Sequence, residues 1–198
     1  MSNIFSGASM SLDGYIAGPN ESGFDQLFKW YGNGDVEIKS THPELTFRLS
    51  EVSAAYFRET RERTGVLVVG RHLFDITSGW GGIHPLDLPV VVVTHRPPPE
   101  DWPQDAPFTF VDGIEPAIEK AREIAGEKSI VVNAGTIAGQ CLNAGLLDEV
   151  CVDLVPVVLG GGTPFFSGVE NPPAVLEGPL SSVQGVDVTH LRYRVRYS

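Results

Sequence analysis

The sequence predicts an α/β protein with a mostly parallel central sheet and an antiparallel pair of strands at its C-terminal end. Three observations carry this reading. The short β-branched runs Val66-Leu67-Val68-Val69, Val90-Val91-Val92-Val93 and Ser129-Ile130-Val131-Val132 look like strands covered on both faces. Segments with helical spacing alternate with them, which is the order of a parallel sheet. Two late strand-like segments, about residues 183–189 and 191–197, have no helix between them and are expected to pair as antiparallel neighbours.

Taken in order, residues 3–10 open the chain as a strand, and a Gly-rich polar stretch follows over 13–35. Thr41-His42-Pro43-Glu44 reads as a helix start, with a capping hydroxyl, a first-turn proline and a glutamate able to close a capping box. Leu45, Leu49, Val52 and Tyr56 then recur at helical spacing, and Gly65 is expected to end that helix. After the strand over 66–69, a short helix is expected from Gly70 to Phe74. Strands over 89–94 and 108–111 come next. Asp112 is expected to cap a helix whose apolar face is Ile114, Ala117, Ile118, Ala121 and Ile124, with Gly126 as its stop. The strand over 129–132 leads to a helix over 135–144, halted by Gly145. A long strand over 149–159 contains Pro156. The Pro-rich segment 96–103 has strands close on both sides, so it reads as a surface loop, and the chain reads as one domain over 1–198.

Composition narrows the function. The 198 residues are 42% hydrophobic and 20% charged, a globular balance. Fourteen Lys and Arg against 25 Asp and Glu give a net charge of −11, which argues against nucleic acid and against an anionic membrane as partners. The N-terminal Met1-Ser2-Asn3-Ile4-Phe5 has no signal-peptide character and no apolar run is long enough to span a bilayer, so the expected location is the cytoplasm. Cys141 and Cys151 lie within apolar patterns and read as buried thiols. The five histidines and two cysteines show no metal-ligand spacing, so no metal site is expected.

Three strand ends share one ligand-binding geometry: a strand's carboxyl end meeting a helix start, where backbone amides attract anions. Gly70-Arg71 offers a tight turn and a guanidinium for a phosphate; the alternative is a surface arginine capping a turn. Thr94-His95-Arg96 suits a phosphomonoester such as the 2′-phosphate of NADP, or else is a polar strand end. Asn133-Ala134-Gly135-Thr136-Ile137-Ala138 has the small residues that let a pyrophosphate approach the helix start, or that let helix and sheet pack closely. Gly160-Gly161-Gly162 allows a backbone close to a ligand, or a plain bend. Asp13 and Asp25 are the candidate catalytic carboxylates, for protonating a substrate nitrogen; a buried Asp13 would orient an N–H of a heterocycle, or else Asp13 only stabilises the turn into Gly14. Trp30 and Tyr31 are candidate pocket walls, against the commoner use of aromatics in a core.

In this order, the stretches Ser11-Leu12-Asp13-Gly14-Tyr15-Ile16-Ala17-Gly18, Val69-Gly70-Arg71, Val93-Thr94-His95-Arg96, Gly135 to Gln140 with Ala144 to Glu149, and Pro156 to Pro164 resemble the dihydrofolate reductase-like superfamily. Within it, the chain is similar to stand-alone relatives of the reductase domain of bacterial riboflavin biosynthesis. The resemblance implies a three-layer fold, NADPH as cofactor, a homodimer, and hydride transfer to a small heterocyclic or imine-like substrate of the pterin or riboflavin-precursor type. It implies that Gly70 and Arg71 face the cofactor's phosphates and that Thr94, His95 and Arg96 surround the 2′-phosphate. It implies that Gly135, Thr136, Ile137 and Ala138, with the flanking Asn133, Ala134 and Gly161, lie along the cofactor. Ile16 and Ala17 would border the nicotinamide, and Asp13 would stand on the substrate side with Asp25, Trp30 and Tyr31. Two departures stand out: Asn133-Ala134 replaces the consecutive glycines common in the family, and no deaminase half is visible. His42-Pro43-Glu44 fits H-x-E, but no P-C-x-x-C accompanies it. A non-catalytic ligand-binding relative and a true dihydrofolate reductase are the alternatives. The segment Pro164-Phe165-Phe166 and the late strands are the expected dimer surface.

Overall fold

The computed structural model describes residues 2–197. In chain order the elements are β1 (Ile4–Ser11), β2 (Tyr15–Ala17), α1 (Phe24–Leu27), β3 (Val36–Lys39), β4 (Thr46–Leu49), α2 (Glu51–Arg63), β5 (Thr64–Gly70), α3 (Arg71–Ile76), β6 (Val90–Val93) and β7 (Phe108–Val111). They continue with α4 (Ile114–Ala125), β8 (Ser129–Val132), α5 (Thr136–Asn143), β9 (Glu149–Val155), β10 (Thr163–Pro164), β11 (Val175–Gln184) and β12 (Thr189–Arg196). The main sheet has the order β11-β12-β9-β1-β8-β5-β6-β7. From β9 to β7 every pairing is parallel, while β12 and β11 are antiparallel. The carboxyl ends of the parallel strands therefore share one rim, and Ser11, Gly70, Val93, Val132 and Val155 lie along it.

One face of the sheet packs Val66, Val68, Val91, Ile130, Val132, Val150 and Val152 against Ala117, Ile118 and Ala121 of α4 and Ile137, Cys141 and Leu142 of α5. These α4 residues form the apolar stripe predicted for that helix. Burying Ile118 alone contributes roughly 1.5–3 kcal/mol. The opposite face carries two smaller clusters. Trp30, Leu49, Ala54, Val155 and Val188 pack together under α2, and Val69, Val90 and Val92 pack against Phe74 of α3. The sheet thus lies between two helical layers.

Several local expectations are corrected. Residues 41–45 form a turn and not a helix start, and residues 46–49 are the strand β4, paired with β3. The alternation Thr46, Phe47, Arg48, Leu49, exposed and buried by turns, outweighs the four-residue spacing of Leu45 and Leu49. The helix instead begins after Ser50, whose Oγ accepts from the Ser53 amide at 3.3 Å. Gly65 lies inside β5, where a Cβ would stand 2.9 Å from the Ala125 Cα, so it permits close helix–sheet packing and does not end a helix. Gly113, at φ 93°, precedes α4 without a side-chain cap, and Asp112 is paired with His95. Strand β9 ends at Val155, before Pro156, and the last hairpin turns at 185–188, so His190 is within β12 and not between two strands. Phe165 is 4% exposed in the main core, so it offers no dimer surface.

Candidate functional site

Three of the rim junctions come from adjacent strands β8, β5 and β6. At the end of β5, the Gly70 backbone is extended, and a Cβ there would stand 3.5 Å from Ile137 of α5. Arg71 opens α3, donating from Nε to Asp75 Oδ1 at 2.7 Å and from Nη1 to the Pro97 carbonyl at 2.9 Å. Beyond β6, Thr94 is nearly buried and its Oγ1 accepts from the Arg96 amide at 3.0 Å, which shapes the turn. That turn brings Arg96 Nη2 to within 2.8 Å of Asp75 Oδ2. One carboxylate, not found from the sequence, therefore draws two guanidiniums together. Hydrogen bonding from Arg71 and then Arg96 outweighs desolvation and holds the Asp75 carboxyl below its usual range. His95 is exposed and paired with Asp112.

At the end of β8, Gly135 has φ 81° and leads into α5, which has no side-chain cap, so its first-turn amides have no side-chain acceptor. Asn133 is half-buried and Thr136 is exposed there, whereas Ala134, Ile137 and Ala138 are buried. Those three small or apolar side chains serve helix–sheet packing. Beside them, β2 and β10 pair, and a Cβ on Gly135 would meet Ile16 Cδ1 and Thr163 Cγ2 at 3.7 Å. Ala17 is buried in the same ribbon. The glycine this ribbon requires is Gly162, with φ 118°, where a Cβ would stand 2.0 Å from the Ala17 carbonyl oxygen. Gly161 has only an ordinary contact with Pro19.

Asp13 is an exposed residue whose two carboxylate oxygens accept from the Leu159 amide at 3.0 Å and the Gly160 amide at 2.7 Å. A hydrogen bond from Ser11 and then those amides hold its carboxyl below the usual range. The expectation of a buried carboxylate there is corrected: Asp13 ties the first loop to the Gly160–Gly162 loop. Asp25 lies on α1, exposed, accepting from Gln26 Nε2.

Trp30 and Tyr31 do line a cleft, of about 220 Å³, on the α2 face of the sheet, together with Gly7, Tyr56, Phe57 and Leu67. Trp30 is 1% exposed and its Nε1 donates to Ser9 Oγ at 3.0 Å, so the indole is fixed against β1. The carboxylate in this cleft is Asp153 of β9, not Asp13 or Asp25. It is cross-strand neighbour to Ser9 and to His190. Burial, then the nearby Asp153, pushes the Tyr31 and Tyr56 hydroxyls up, so both stay neutral donors. A sequence signal existed: Asp153 interrupts the apolar run Val150-Cys151-Val152-Asp153-Leu154-Val155. The two thiols are buried, and burial pushes Cys141 up to about 12 and Cys151 to about 11. Among the described residues no group of His, Cys, Asp or Glu is arranged to hold a metal ion, and no helix is long and apolar enough to cross a membrane.

The chain resembles known structures throughout its length. A structure named as a riboflavin biosynthesis protein from Shewanella sp. PV-4 shares 23% identity and a TM-score of 0.74, with all of both chains covered. Acinetobacter baumannii RibD shares 14% identity at a TM-score of 0.61, and the match takes 99% of this chain and 58% of that one. Dihydrofolate reductase from Enterococcus faecalis, complexed with NADP(H), matches at 14% identity and a TM-score of 0.51 over 98% of this chain and 97% of its own. These likenesses establish a shared fold. No curated protein matches the sequence. The family model of the RibD C-terminal domain matches residues 3–188, and the chain belongs to that family, the reductase side of riboflavin biosynthesis.

Proposed function

We propose that the chain is an NADPH-dependent reductase that passes a hydride to a small heterocyclic or imine-like substrate of the riboflavin-precursor or pterin type. The observation that carries this is the meeting of Arg71 and Arg96 at Asp75, on a rim that also presents the uncapped start of α5, in a sheet whose α2 face holds an aromatic cleft. Arg71 and Arg96 would hold the adenosine-side phosphates, with Thr94 shaping the turn and His95 at its exposed edge. The Thr136 end of α5 and Gly135 would lie along the pyrophosphate, with Gly70, Asn133, Ala134, Ile137 and Ala138 as the surface beneath it. Ile16 and Ala17 would border the nicotinamide. The donor set fits, because two guanidiniums and first-turn amides favour phosphate oxygens. When bound, the cofactor supplies the hydride. The protein's part is to exclude water with Trp30 and Tyr31 and to orient the acceptor in the cleft.

The test is a titration of the full chain with NADPH and NADH, followed by turnover of riboflavin precursors, pterins and dihydrofolate. NADPH binding with turnover of a precursor or pterin is expected. Turnover of dihydrofolate alone would make the chain a dihydrofolate reductase, and no NADPH binding would leave a ligand-binding relative. We further propose a homodimer, supported by the exposed Val175, Leu176 and Leu180 on edge strand β11. A monomer mass in light scattering at micromolar concentration would overturn it.

A further inference from the structure

Below the rim, a buried polar network runs from α2 through β12 to β9. Ser53 Oγ stands 2.9 Å from His190 Nε2, and His190 Nδ1 stands 2.7 Å from Asp153 Oδ1. Ser53 and His190 are each 1% exposed. Serine, histidine and carboxylate in this order match a hydrolytic triad, but the accessibility runs the wrong way. Ser53 lines neither of the two main clefts, and Gly185 packs over it so closely that a Cβ there would stand 2.4 Å from the hydroxyl. No acyl group reaches that oxygen. The open end is Asp153, whose side chain is 15% exposed in the wall of the aromatic cleft. Among the described residues its one ion pair is with His190, through Oδ1, and the Tyr56 hydroxyl lies beside the same carboxylate.

The inner end of the network works as a lock. With Nδ1–H donated to Asp153, the neutral imidazole accepts the Ser53 hydroxyl proton at Nε2, and the imidazolium donates to the same oxygen. Ser53 thus fixes the ring in either protonation state. Tyr56 stacks on the ring at 4.1 Å and the edge of Trp30 meets it at 5.0 Å. Asp153 is therefore held at a set orientation between aromatic walls. Arg61 and His84 also line the cleft, and neither is paired with Asp153. Arg63 is engaged elsewhere, with Glu149 and over the Phe5 ring.

We propose that Asp153, locked by His190 and Ser53, anchors the N–H edge of a planar cationic ligand, of amidinium or protonated-imine type, in this cleft. Such an edge offers charged donors to the carboxylate, whereas a carbonyl edge would face it with no proton between them. The inference rests on the reading of the cleft as the substrate side of a reductase.

Benzamidine, with neutral benzamide as its near-isostere, probes the anchor by calorimetric titration of the full chain. Benzamidine is expected to bind about tenfold tighter or more. Asp153→Asn should bring the ratio close to one, and Ser53→Ala, a change at a positioning residue, should lower it several-fold. If Asp153→Asn does not fold, the ring ¹⁵N signals of His190 in the unmodified protein decide: they should shift with benzamidine and not with benzamide. Equal affinities, no binding of either probe, a ratio that survives Asp153→Asn, or unmoved His190 signals would overturn the anchor. NADPH titration run alongside separates the two readings. Benzamidine preference without NADPH binding keeps the anchor and removes the reductase; NADPH binding without preference does the reverse.

Discussion

The rim and the inner cleft are built from opposite materials. The rim's groups come from short stretches at strand ends, and its ion pairs join Asp75 to a largely covered Arg71 and a largely exposed Arg96. The cleft wall draws Trp30, Tyr56 and Asp153 from distant parts of the chain; behind it Ser53, His190 and Asp153 are joined by hydrogen bonds, and Trp30 bonds Ser9. A surface made of exposed charge is adjustable and adds little to stability. A buried, satisfied network holds its geometry, and removing one member leaves others unsatisfied. Mutations should accordingly separate the two regions: cleft changes should act first on folding, rim changes first on cofactor affinity.

The largest effect is expected in the cleft. Trp30→Ala removes a fully buried indole and its bond to Ser9 Oγ, and should cost about 3–5 kcal/mol in denaturant unfolding. A loss below about 1 kcal/mol would break the contrast. The next test uses pH at the same wall. Burial, then the neighbouring His42, lowers His84 to about 4, and its Nδ1 accepts from the Leu86 amide at 3.2 Å. The folded state binds this proton less readily than the unfolded chain. Stability is therefore full above about pH 6.5 and falls as the pH drops toward 4, by roughly 3 kcal/mol. His84→Gln should flatten that part of the unfolding profile; an unchanged slope would take His84 out of it.

The same contrast explains what the sequence made legible. The rim junctions were readable because each is a contiguous motif at a strand end, and the parallel order of β8, β5 and β6 brought them side by side. Asp75 was not, since a carboxylate four residues after Arg71 looks like an ordinary helix-surface pair. The cleft was readable only through Trp30 and Tyr31. Asp153 and His190 are 37 residues apart and meet only because β9 and β12 pair in that register. Placing the hairpin turn at His190 concealed it, because a buried histidine in a strand has the same local look as a polar turn residue.

At the rim, the expected effect is on cofactor choice. If Arg96 holds the 2′-phosphate, Arg96→Ala should weaken NADPH by about 1.5–3 kcal/mol and leave NADH little changed. The difference should shrink with added salt, since Arg96 is mostly exposed. Equal losses for both cofactors would detach Arg96 from that phosphate. Stability should stay within about 0.5 kcal/mol of the parent, as expected for an exposed pair.

The smallest effect sharpens the comparison most, because Asp13 belongs to the rim by sequence yet makes the kind of fixed contact found in the cleft. Its carboxylate accepts from two amides of the opposing loop while remaining open to solvent. Asp13→Asn keeps the shape but replaces one accepting oxygen by an NH₂ that faces an amide donor, so one of the two loop contacts is lost. Because the folded carboxyl lies below the ordinary 3.8, its contribution is present above that value and disappears as the pH falls through the lowered one. The variant should therefore melt slightly below the parent at neutral pH, and the two should converge in strong acid. Loosening the Leu159–Gly160 contact also loosens the β2–β10 ribbon that carries Ile16 and Ala17. NADPH affinity should then fall modestly with the melting temperature, while turnover of the bound complex stays near the parent value. A large drop in turnover at unchanged melting temperature would instead make Asp13 a substrate contact, and the division between an adjustable rim and a fixed cleft would no longer follow the line between loop and sheet.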